Sequence, residues 1–336
     1  MARGVKAALA AFLLLAGCAL LALGLYLGLH GLPGGEPQGA GTRSARPPSF
    51  TVLLLGSDAR PGEETGRTDT IIVASADGLQ GRLAFLSIPR DTLVEIPGHG
   101  PDKINAAAVY GGPELTARVV SDLIGLPVRY YVLVRWEGFK NIVDLLGGVT
   151  LEVEKDMHYV DHSDGPEYAI DLKRGLQRLD GAQALAYVRF RGDALGDIGR
   201  TERQLKFLAA LAREAMQPAN LARLPGLLPE LARQVETNLG PRQLPAMVQA
   251  ARLFAGGEIV TQTLPGRFLE KNGVSYWEVD PRRARLVARS FFREGRVTEV
   301  FTGPAAVGPA PPPAPGSGAA PPVQESPGPQ KVPGGA

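Results

Sequence analysis

The residues Phe50-Thr51-Val52-Leu53-Leu54-Leu55-Gly56 form an almost unbroken apolar run that ends in glycine. Such a run is typical of a strand that is buried on both faces. Similar runs follow at residues 69–76 and 82–88. Because strands buried on both faces need a covering layer on each side, these runs predict an α/β domain.

The later chain alternates between strand and helix patterns. Further strands are expected at residues 128–134, 149–153, 258–264 and 274–279. Helices are expected at residues 105–110, 114–124, 136–146, 180–189 and 281–292, and residues 200–255 look helical throughout, with breaks at Pro218, Pro225 and Pro241. Residues 155–173 look like a hairpin or an excursion. Hairpin signals favour a mixed central sheet flanked by helices on both faces.

Residues 7–29 carry no charged side chain and are numerous enough to cross a bilayer. Arg3 and Lys6 precede them, so the N-terminus is expected in the cytoplasm and the domain outside the cytoplasmic membrane. Leu15-Ala16-Gly17-Cys18 resembles a lipoprotein signal, and a cleaved secretory signal is a third alternative. Residues 19–29 remain apolar, which favours an uncleaved single-pass signal-anchor.

The sequence predicts one extracytoplasmic domain after one N-terminal transmembrane helix. The expected segments are a cytoplasmic N-terminus at 1–6, the anchor at 7–29, a flexible Gly/Pro/Arg linker at 30–49, the folded outer domain at 50–302 and a Pro/Ala/Gly-rich tail at 303–336. The tail has too little apolar periodicity to fold.

Charge and cysteine content exclude several classes of protein. The net charge of +2 gives no signature of nucleic-acid binding. Cys18 is the only cysteine, so disulfide partners, zinc–thiolate clusters and cysteine nucleophiles are excluded for the outer domain. The chain has no G-x-S-x-G elbow, Walker A loop or G-x-G-x-x-G motif.

Charged side chains follow or open the first three predicted strands. Asp58 follows the first strand, Asp69 opens the second, and Arg90 and Asp91 close the third. If these strands are neighbours, the side chains converge on one edge of the sheet. Two carboxylates together with substrate phosphates are a common way to hold Mg²⁺. For Asp58 taken alone, an ordinary turn aspartate is the favoured interpretation.

The stretch at residues 186–204, AYVRFRGDALGDIGRTERQ, contains four arginines: Arg189, Arg191, Arg200 and Arg203. The second pair opens a predicted helix and shares one of its faces. Guanidinium groups beside a helix N-terminus can form a cradle for phosphate or pyrophosphate. The alternative is a solvated charged face whose carboxylates pair with the arginines.

Asp156, His158, Asp161, His162 and Asp164 have spacing compatible with a second metal site. They fall in the polar excursion, so a solvated loop is the simpler interpretation.

Five motifs resemble the LytR-CpsA-Psr family in order and spacing, over about residues 50–211. They are Leu53-Leu54-Leu55-Gly56-Ser57-Asp58, Arg67-Thr68-Asp69-Thr70, Ser87-Ile88-Pro89-Arg90-Asp91, Lys103-Ile104-Asn105-Ala106-Ala107 and the arginine stretch. The single N-terminal membrane helix is also similar. Beyond about residue 218 the resemblance is only in general character.

The resemblance implies a phosphotransferase outside the membrane that moves a glycopolymer from a polyprenyl-pyrophosphate carrier onto peptidoglycan. It implies Mg²⁺, or Mn²⁺, held by Asp58 and Asp69, and pyrophosphate contacts from Arg90 and the four arginines, with Gln204 nearby. Lys103 and Asn105 are further candidate substrate-binding residues. Asp91 is the candidate base for the attacking hydroxyl, or it orients Arg90.

Three other functions remain open from the sequence. A pyrophosphatase acting on the lipid carrier would use the same metal and arginines, with water as the nucleophile. A transcriptional attenuator would bind DNA, but no helix-turn-helix signature or basic face is visible. A non-catalytic wall-binding protein would leave the paired aspartates and the arginines without a role.

Overall fold

The computed structural model describes residues 49–57, 68–77, 80–159, 170–190, 197–240 and 257–301. The strands in these ranges are β1 (Ser49–Ser57), β2 (Thr68–Asp77), β3 (Arg82–Ser87), β4 (Leu93–Ile96), β5 (Gly100–Lys103), β6 (Tyr130–Val134), β7 (Val149–Val153), β8 (Met157–Tyr159), β9 (Ile170–Leu172), β10 (Gly175–Leu179), β11 (Val235–Thr237), β12 (Glu258–Thr263), β13 (Arg267–Lys271) and β14 (Val274–Glu278). The helices are α1 (Ala106–Ile124), α2 (Trp136–Leu145), α3 (Gly181–Arg189), α4 (Asp197–Ala215), α5 (Pro218–Arg233) and α6 (Pro281–Glu294).

Six strands form the central sheet, in the order β11-β6-β1-β2-β3-β12. β1 is antiparallel to β2 and parallel to β6, and β3 is parallel to β12. The predicted mixed sheet of an α/β fold is therefore confirmed. Eight consecutive residues at the start of β2 are buried, and successive strand residues face opposite sides, so both faces of the sheet are covered.

The register of the sheet brings three strand ends to one edge. Ser57, the last residue of β1, pairs with Thr68, the first residue of β2. Ser87, the last residue of β3, pairs with Ile72. Asp69 and the residues that follow β3 therefore lie near each other, as the sequence predicts. Asp58 follows Ser57 directly in the chain, but it lies outside the described residues.

Helix α1 joins two helices that the sequence pattern predicts separately. The backbone departs from helical angles at Gly111 and Gly112, and Gly112 has a φ of 68°. Pro113 follows this kink and begins the second part. The predicted cap of α3 is also present, because the Asp180 carboxylate accepts a hydrogen bond from the Gln183 N–H in a capping box.

The prediction of helix throughout residues 200–255 is wrong in two places. Residues Val235–Thr237 form β11, which pairs with β6 at the edge of the sheet. Pro225 does not break the helix, because α5 runs from Pro218 through it to Arg233. Local propensity missed β11 because this short strand is stabilised by pairing with a distant strand. The predicted break at Pro241 lies outside the described residues.

Two hairpins were not predicted. β4 pairs with β5, and β13 pairs with β14, where only the second strand was expected. Within residues 155–173, β8 and β9 form an antiparallel pair, which agrees with the hairpin alternative predicted for this segment. In the part of the chain that the structure describes, no helix is both long and apolar enough to cross a membrane. The predicted anchor at residues 7–29 and the tail at 303–336 lie outside that part.

Candidate active site

A pocket opens where the ends of β1, β2 and β3 converge. One wall comes from β2 and the turn after β3, the second from α4, and the third from the hairpin β13–β14. Its charged and polar lining residues are Asp69, Ser87, Arg90, Asp91, Arg200, Thr201, Gln204, Ser275 and Tyr276.

Asp69 provides a buried carboxylate that lines this pocket. Its side chain is 0% exposed, and its Oδ1 accepts hydrogen bonds from Arg90 Nη1 at 3.0 Å and from Asn105 Nδ2 at 3.3 Å. Asn105, predicted to bind substrate, is itself buried and contacts Asp69. These contacts fix the orientation of Asp69 and hold Arg90 against it.

Asp91 lies between two cations. Its Oδ1 is 2.8 Å from Lys103 Nζ, and its Oδ2 is 3.6 Å from Arg90 Nε. Lys103 Nζ also lies 5.5 Å from the centre of the Tyr276 ring. Lys103, Asp91, Arg90 and Asp69 thus form a continuous chain of alternating charge along the pocket.

Helix α4 contributes Arg200, Thr201 and Gln204 to the opposite wall. Arg200 is only 2% exposed, although it carries a full charge. A buried guanidinium is stable only when other groups compensate its charge. Arg200 and Arg203 both lie in the N-terminal half of this helix, which spans Asp197–Ala215.

Arg189 and Arg203 lie beside aromatic rings. The guanidinium carbon of Arg189 is 4.6 Å from the centre of the Trp136 ring, and that of Arg203 is 5.3 Å from the Phe190 ring. Arg203 Nη2 also donates a hydrogen bond of 2.6 Å to the Phe190 carbonyl. Stacking on an aromatic face suits the planar guanidinium and orients it.

The interpretation of the arginine stretch as a solvated charged face is wrong for the three arginines that the structure describes. Arg189, Arg200 and Arg203 are 6%, 2% and 6% exposed. A surface charge run would leave such side chains mostly in water. Arg191 lies outside the described residues, so its predicted role stays a prediction.

Of the two predicted Mg²⁺ ligands, the structure describes Asp69, whose buried carboxylate lines the pocket. Among the described residues, no group of three or more His, Cys, Asp or Glu side chains could hold a metal ion. The second predicted ligand, Asp58, is not in the described residues.

The weaker metal site in the excursion gains no support from its described members. Asp156 accepts a hydrogen bond from the Arg174 N–H and lies 3.6 Å from Lys173 Nζ. His158 is 76% exposed and lies 3.8 Å from Asp171. Asp161, His162 and Asp164 lie outside the described residues.

The third wall of the pocket, formed by the hairpin β13–β14, was not predicted from the sequence. Phe268, Ser275, Tyr276 and Trp277 line it from the hairpin β13–β14. Trp277 N–H donates to the Asp91 carbonyl at 2.8 Å, and the Trp277 indole N–H donates to the Leu264 carbonyl at 3.1 Å. The only signal in the sequence was the predicted strand at 274–279, which says nothing about where that strand packs.

The pocket and its arginines occur on a fold that is found in known proteins. The LytR_cpsA_psr family model matches residues 37–290, which is most of the chain, so this protein belongs to the LytR_cpsA_psr family. The resemblance found in the five motifs is confirmed.

Three relatives illustrate the likeness. "Regulatory protein MsrR" of Staphylococcus aureus (strain COL) is 36% identical over 192 residues, covering 56% of this chain and 56% of MsrR. "Polyisoprenyl-teichoic acid--peptidoglycan teichoic acid transferase TagU" of Bacillus anthracis (strain CDC 684 / NRRL 3495) is 35% identical over 206 residues, covering 61% of this chain and 65% of TagU. The solved structure "LytR-CPS2A-psr family protein YwtF (TagT) with bound octaprenyl pyrophosphate lipid" is 29% identical, with a TM-score of 0.53 over 72% of this chain and 88% of that one. The matched segment therefore covers less than two thirds of the length of either sequence relative.

Proposed function

We propose that this protein transfers a glycopolymer from a polyprenyl-pyrophosphate carrier onto peptidoglycan outside the cytoplasmic membrane. The observation that carries the proposal is the pocket in which Asp69, Arg90, Arg200 and Gln204 converge from three separate elements. The relative TagT has octaprenyl pyrophosphate bound, and TagU is named as a teichoic acid transferase. Both names support a lipid-linked donor for this chain.

The charges of the pocket suit a pyrophosphate group. Phosphoryl transfer needs mainly positioning and neutralisation of the phosphate oxygens. Arg90 and Arg200 supply planar, permanently charged donors from opposite walls, and Thr201 and Gln204 add neutral hydrogen-bonding groups. Since Arg200 is buried and Arg90 is held by Asp69 and Asp91, these donors are already oriented before substrate binds.

In the proposed reaction, an acceptor hydroxyl oxygen forms a bond to the phosphorus that carries the glycan. The phosphoanhydride bond breaks, and polyprenyl phosphate leaves with the bonding electron pair. The hydroxyl proton passes to the departing polyprenyl phosphate or to water, and a phosphodiester joins the glycopolymer to the acceptor. A Mg²⁺ held at Asp69 and Asp58 would neutralise phosphate charge when bound.

Asp91 fits the orienting role better than the role of general base. Both of its carboxylate oxygens face cations, Lys103 at 2.8 Å and Arg90 at 3.6 Å. A carboxylate engaged in this way holds Arg90 toward the pocket and keeps Lys103 beside Tyr276. Lys103 and Asn105 then act through Asp91 and Asp69 more than by direct contact with the substrate.

The test is transfer by the purified full chain, supplied with a lipid-linked donor, peptidoglycan and Mg²⁺. Arg200→Lys and Arg90→Lys keep the charge but lose the planar fork. Each should lower kcat/KM by at least about tenfold, the effect of losing about 1.4 kcal/mol of transition-state contact. Arg213→Lys, an exposed position on the same helix α4, is the matched control and should keep its activity.

Product analysis separates the proposed transfer from its alternatives. Transfer yields glycan attached to peptidoglycan, whereas a pyrophosphatase releases the phosphorylated glycan to water with or without acceptor. Normal rates in both pocket variants, with folding confirmed by thermal melting, would contradict the pyrophosphate assignment. Complete inactivity of the wild type with every donor would favour a non-enzymatic envelope regulator, a role that the name of MsrR suggests for that relative.

A further inference from the structure

Helix α6 presents a row of arginines to solvent. Its apolar residues Ala284, Val287, Ala288, Phe291 and Phe292 are buried against the domain. Residues 282, 286, 289 and 293 recur at spacings of four, three and four, which places them on one stripe of the opposite face. Three of the four are exposed arginines, and the fourth is Leu286, which is 66% exposed. Arg283 and Arg285 flank this arginine stripe and are also exposed.

Within the described residues, the positive charge of the arginine stripe is compensated only at its start, where the Asp280 carboxylate attracts Arg282. None of Arg282, Arg289 and Arg293 lies within 4 Å of a carboxylate there. The Asp280 carboxylate caps the helix by accepting from the backbone N–H groups of residues 282 and 283. Glu294 pairs with Arg296. A helix that exposes a row of arginines with a leucine among them is typical of a surface that binds an anionic partner.

The arginine stripe begins next to the pocket. Trp277, whose backbone N–H donates to the Asp91 carbonyl, precedes the N-cap residue Asp280 by three positions. Three residues span at most about 10 Å. The first arginines of α6 therefore lie close to the rim of the pocket.

The C-terminal end of α6 reaches the side of the sheet where β3 and β1 begin, opposite the pocket. A Cβ atom on the C-cap residue Gly295 would meet the Arg82 guanidinium at 2.6 Å, so helix end and strand start are in contact. Arg82 pairs with Asp77, and Asp77 pairs with Ser49, the first residue of β1. The arginine stripe thus runs from the pocket to the edge where the chain arrives from the predicted anchor.

We propose that α6 lies on the surface of the membrane, with its arginine stripe bound to the anionic headgroups of phospholipids. This inference rests on the predicted topology, and its consequence for catalysis rests on the proposed function. The predicted linker after the anchor has an average span of only about 25 Å, which keeps the domain close to the headgroups. Leu286 favours a bilayer over a dissolved polyanion, because only the bilayer interface offers an apolar layer beside the phosphates.

The orientation has a direct consequence for the substrate. If the domain contacts the membrane through α6, its pocket lies next to the headgroup layer. The pyrophosphate of a membrane-embedded polyprenyl lipid is located in that layer. The donor then reaches Arg90 and Arg200 without leaving the bilayer.

The test is a fluorescent probe on the arginine stripe of the full chain. Cys18→Ser removes the native thiol, and Leu286→Cys is labelled with an environment-sensitive fluorophore. The protein is reconstituted in phosphatidylcholine vesicles with or without phosphatidylglycerol. We expect at least about a twofold rise in emission, with quenching by lipid-attached quenchers, only in the vesicles with anionic lipid.

Charge reversal supplies the matched comparison. Arg282→Glu, Arg289→Glu and Arg293→Glu together should remove the response. Arg174→Glu, Arg213→Glu and Arg223→Glu together change the net charge equally at exposed positions elsewhere and should preserve it. A thermal melt of both triple variants checks that they remain folded.

Three results would overturn the inference. They are an equal response in both types of vesicle, a response that survives the triple change on α6, and a response to a soluble anionic glycopolymer in place of vesicles. None of these results bears on transfer activity, which Arg200→Lys and Arg90→Lys test independently. Failure of membrane docking and failure of the proposed function are therefore distinguishable.

Discussion

Arg203 makes two contacts with a single neighbour, Phe190. Its Nη2 donates to the Phe190 carbonyl at 2.6 Å, and its guanidinium carbon lies 5.3 Å from the Phe190 ring. Phe190 directly precedes residues 191–196, which connect α3 with α4. Arg203 therefore holds Phe190, the C-cap residue of α3, against α4, and it does so from a position only 6% exposed.

We predict that Arg203→Lys lowers the free energy of unfolding by about 1–3 kcal/mol. Lysine keeps the charge, but it cannot reproduce both the hydrogen bond to the carbonyl and the planar contact with the ring. Chemical denaturation measures the change. Arg213→Lys, exposed on the same helix, should alter stability by less than about 0.5 kcal/mol. Equal stability of the two variants would show that the contacts of Arg203 with Phe190 contribute nothing.

At the scale of secondary-structure elements, Glu154 connects three of them. It follows β7, and its Oε1 accepts hydrogen bonds from Tyr187 of α3 at 2.8 Å and from Lys206 of α4 at 2.9 Å. Partial burial by itself would raise the pKa of Glu154. The hydrogen bonds from Lys206, the backbone and Tyr187 outweigh burial and hold the pKa below its ordinary value of 4.5.

A group whose pKa is lowered by folding stabilises the folded state above its unfolded pKa, and this stabilisation is lost as the pH falls through the folded pKa. Glu154→Gln should therefore lower Tm at pH 7, by no more than about 2–4 °C because the carboxylate is partly exposed. The difference from the wild type should shrink as the pH falls below 4.5. Melting curves between neutral and acid pH measure it.

The exposed position Glu270 supplies the control for this profile. Glu270→Gln should change Tm at pH 7 by less than Glu154→Gln does. A difference for Glu154→Gln that is as large in acid as at neutral pH would mean that packing, not the ionised carboxylate, joins β7 to α3 and α4.

At the scale of the whole molecule, the orientation across the membrane decides which substrates the pocket can meet. Arg3 and Lys6 flank the predicted span at residues 7–29 on its N-terminal side. We predict that a reporter active only in the cytoplasm gives no signal when fused to the C-terminus. The same reporter fused before residue 7 is the positive control. A bright signal from the C-terminal fusion would place the pocket inside the cell and return the DNA-binding alternative to consideration.

Local sequence patterns were sufficient to predict most of the individual helices and strands. The apolar runs of β1, β2 and β3 required burial on both faces, and Asp180 was recognised as a cap because a capping box is a contact between near neighbours in sequence. The positions of Asp69 and Arg90 at the ends of β2 and β3 were also predicted from the sequence. The hydrophobic runs show where these two strands begin and end. The roles predicted for these site residues remain predictions.

Tertiary structure alone decided which distant segments meet. β12 pairs with β3 and β11 with β6 across long stretches of chain, and the hairpin β13–β14 places Tyr276 and Trp277 beside Asp91. It also decided that Arg189, Arg200 and Arg203 are buried and not solvated. A charged stretch has the same local sequence in either environment. Part of the difference arises from groups that distant segments bring against it, such as the Trp136 ring beside Arg189. Sequence periodicity reports the burial of a segment against some partner, whereas the identity of that partner depends on the packing free energy of the entire domain.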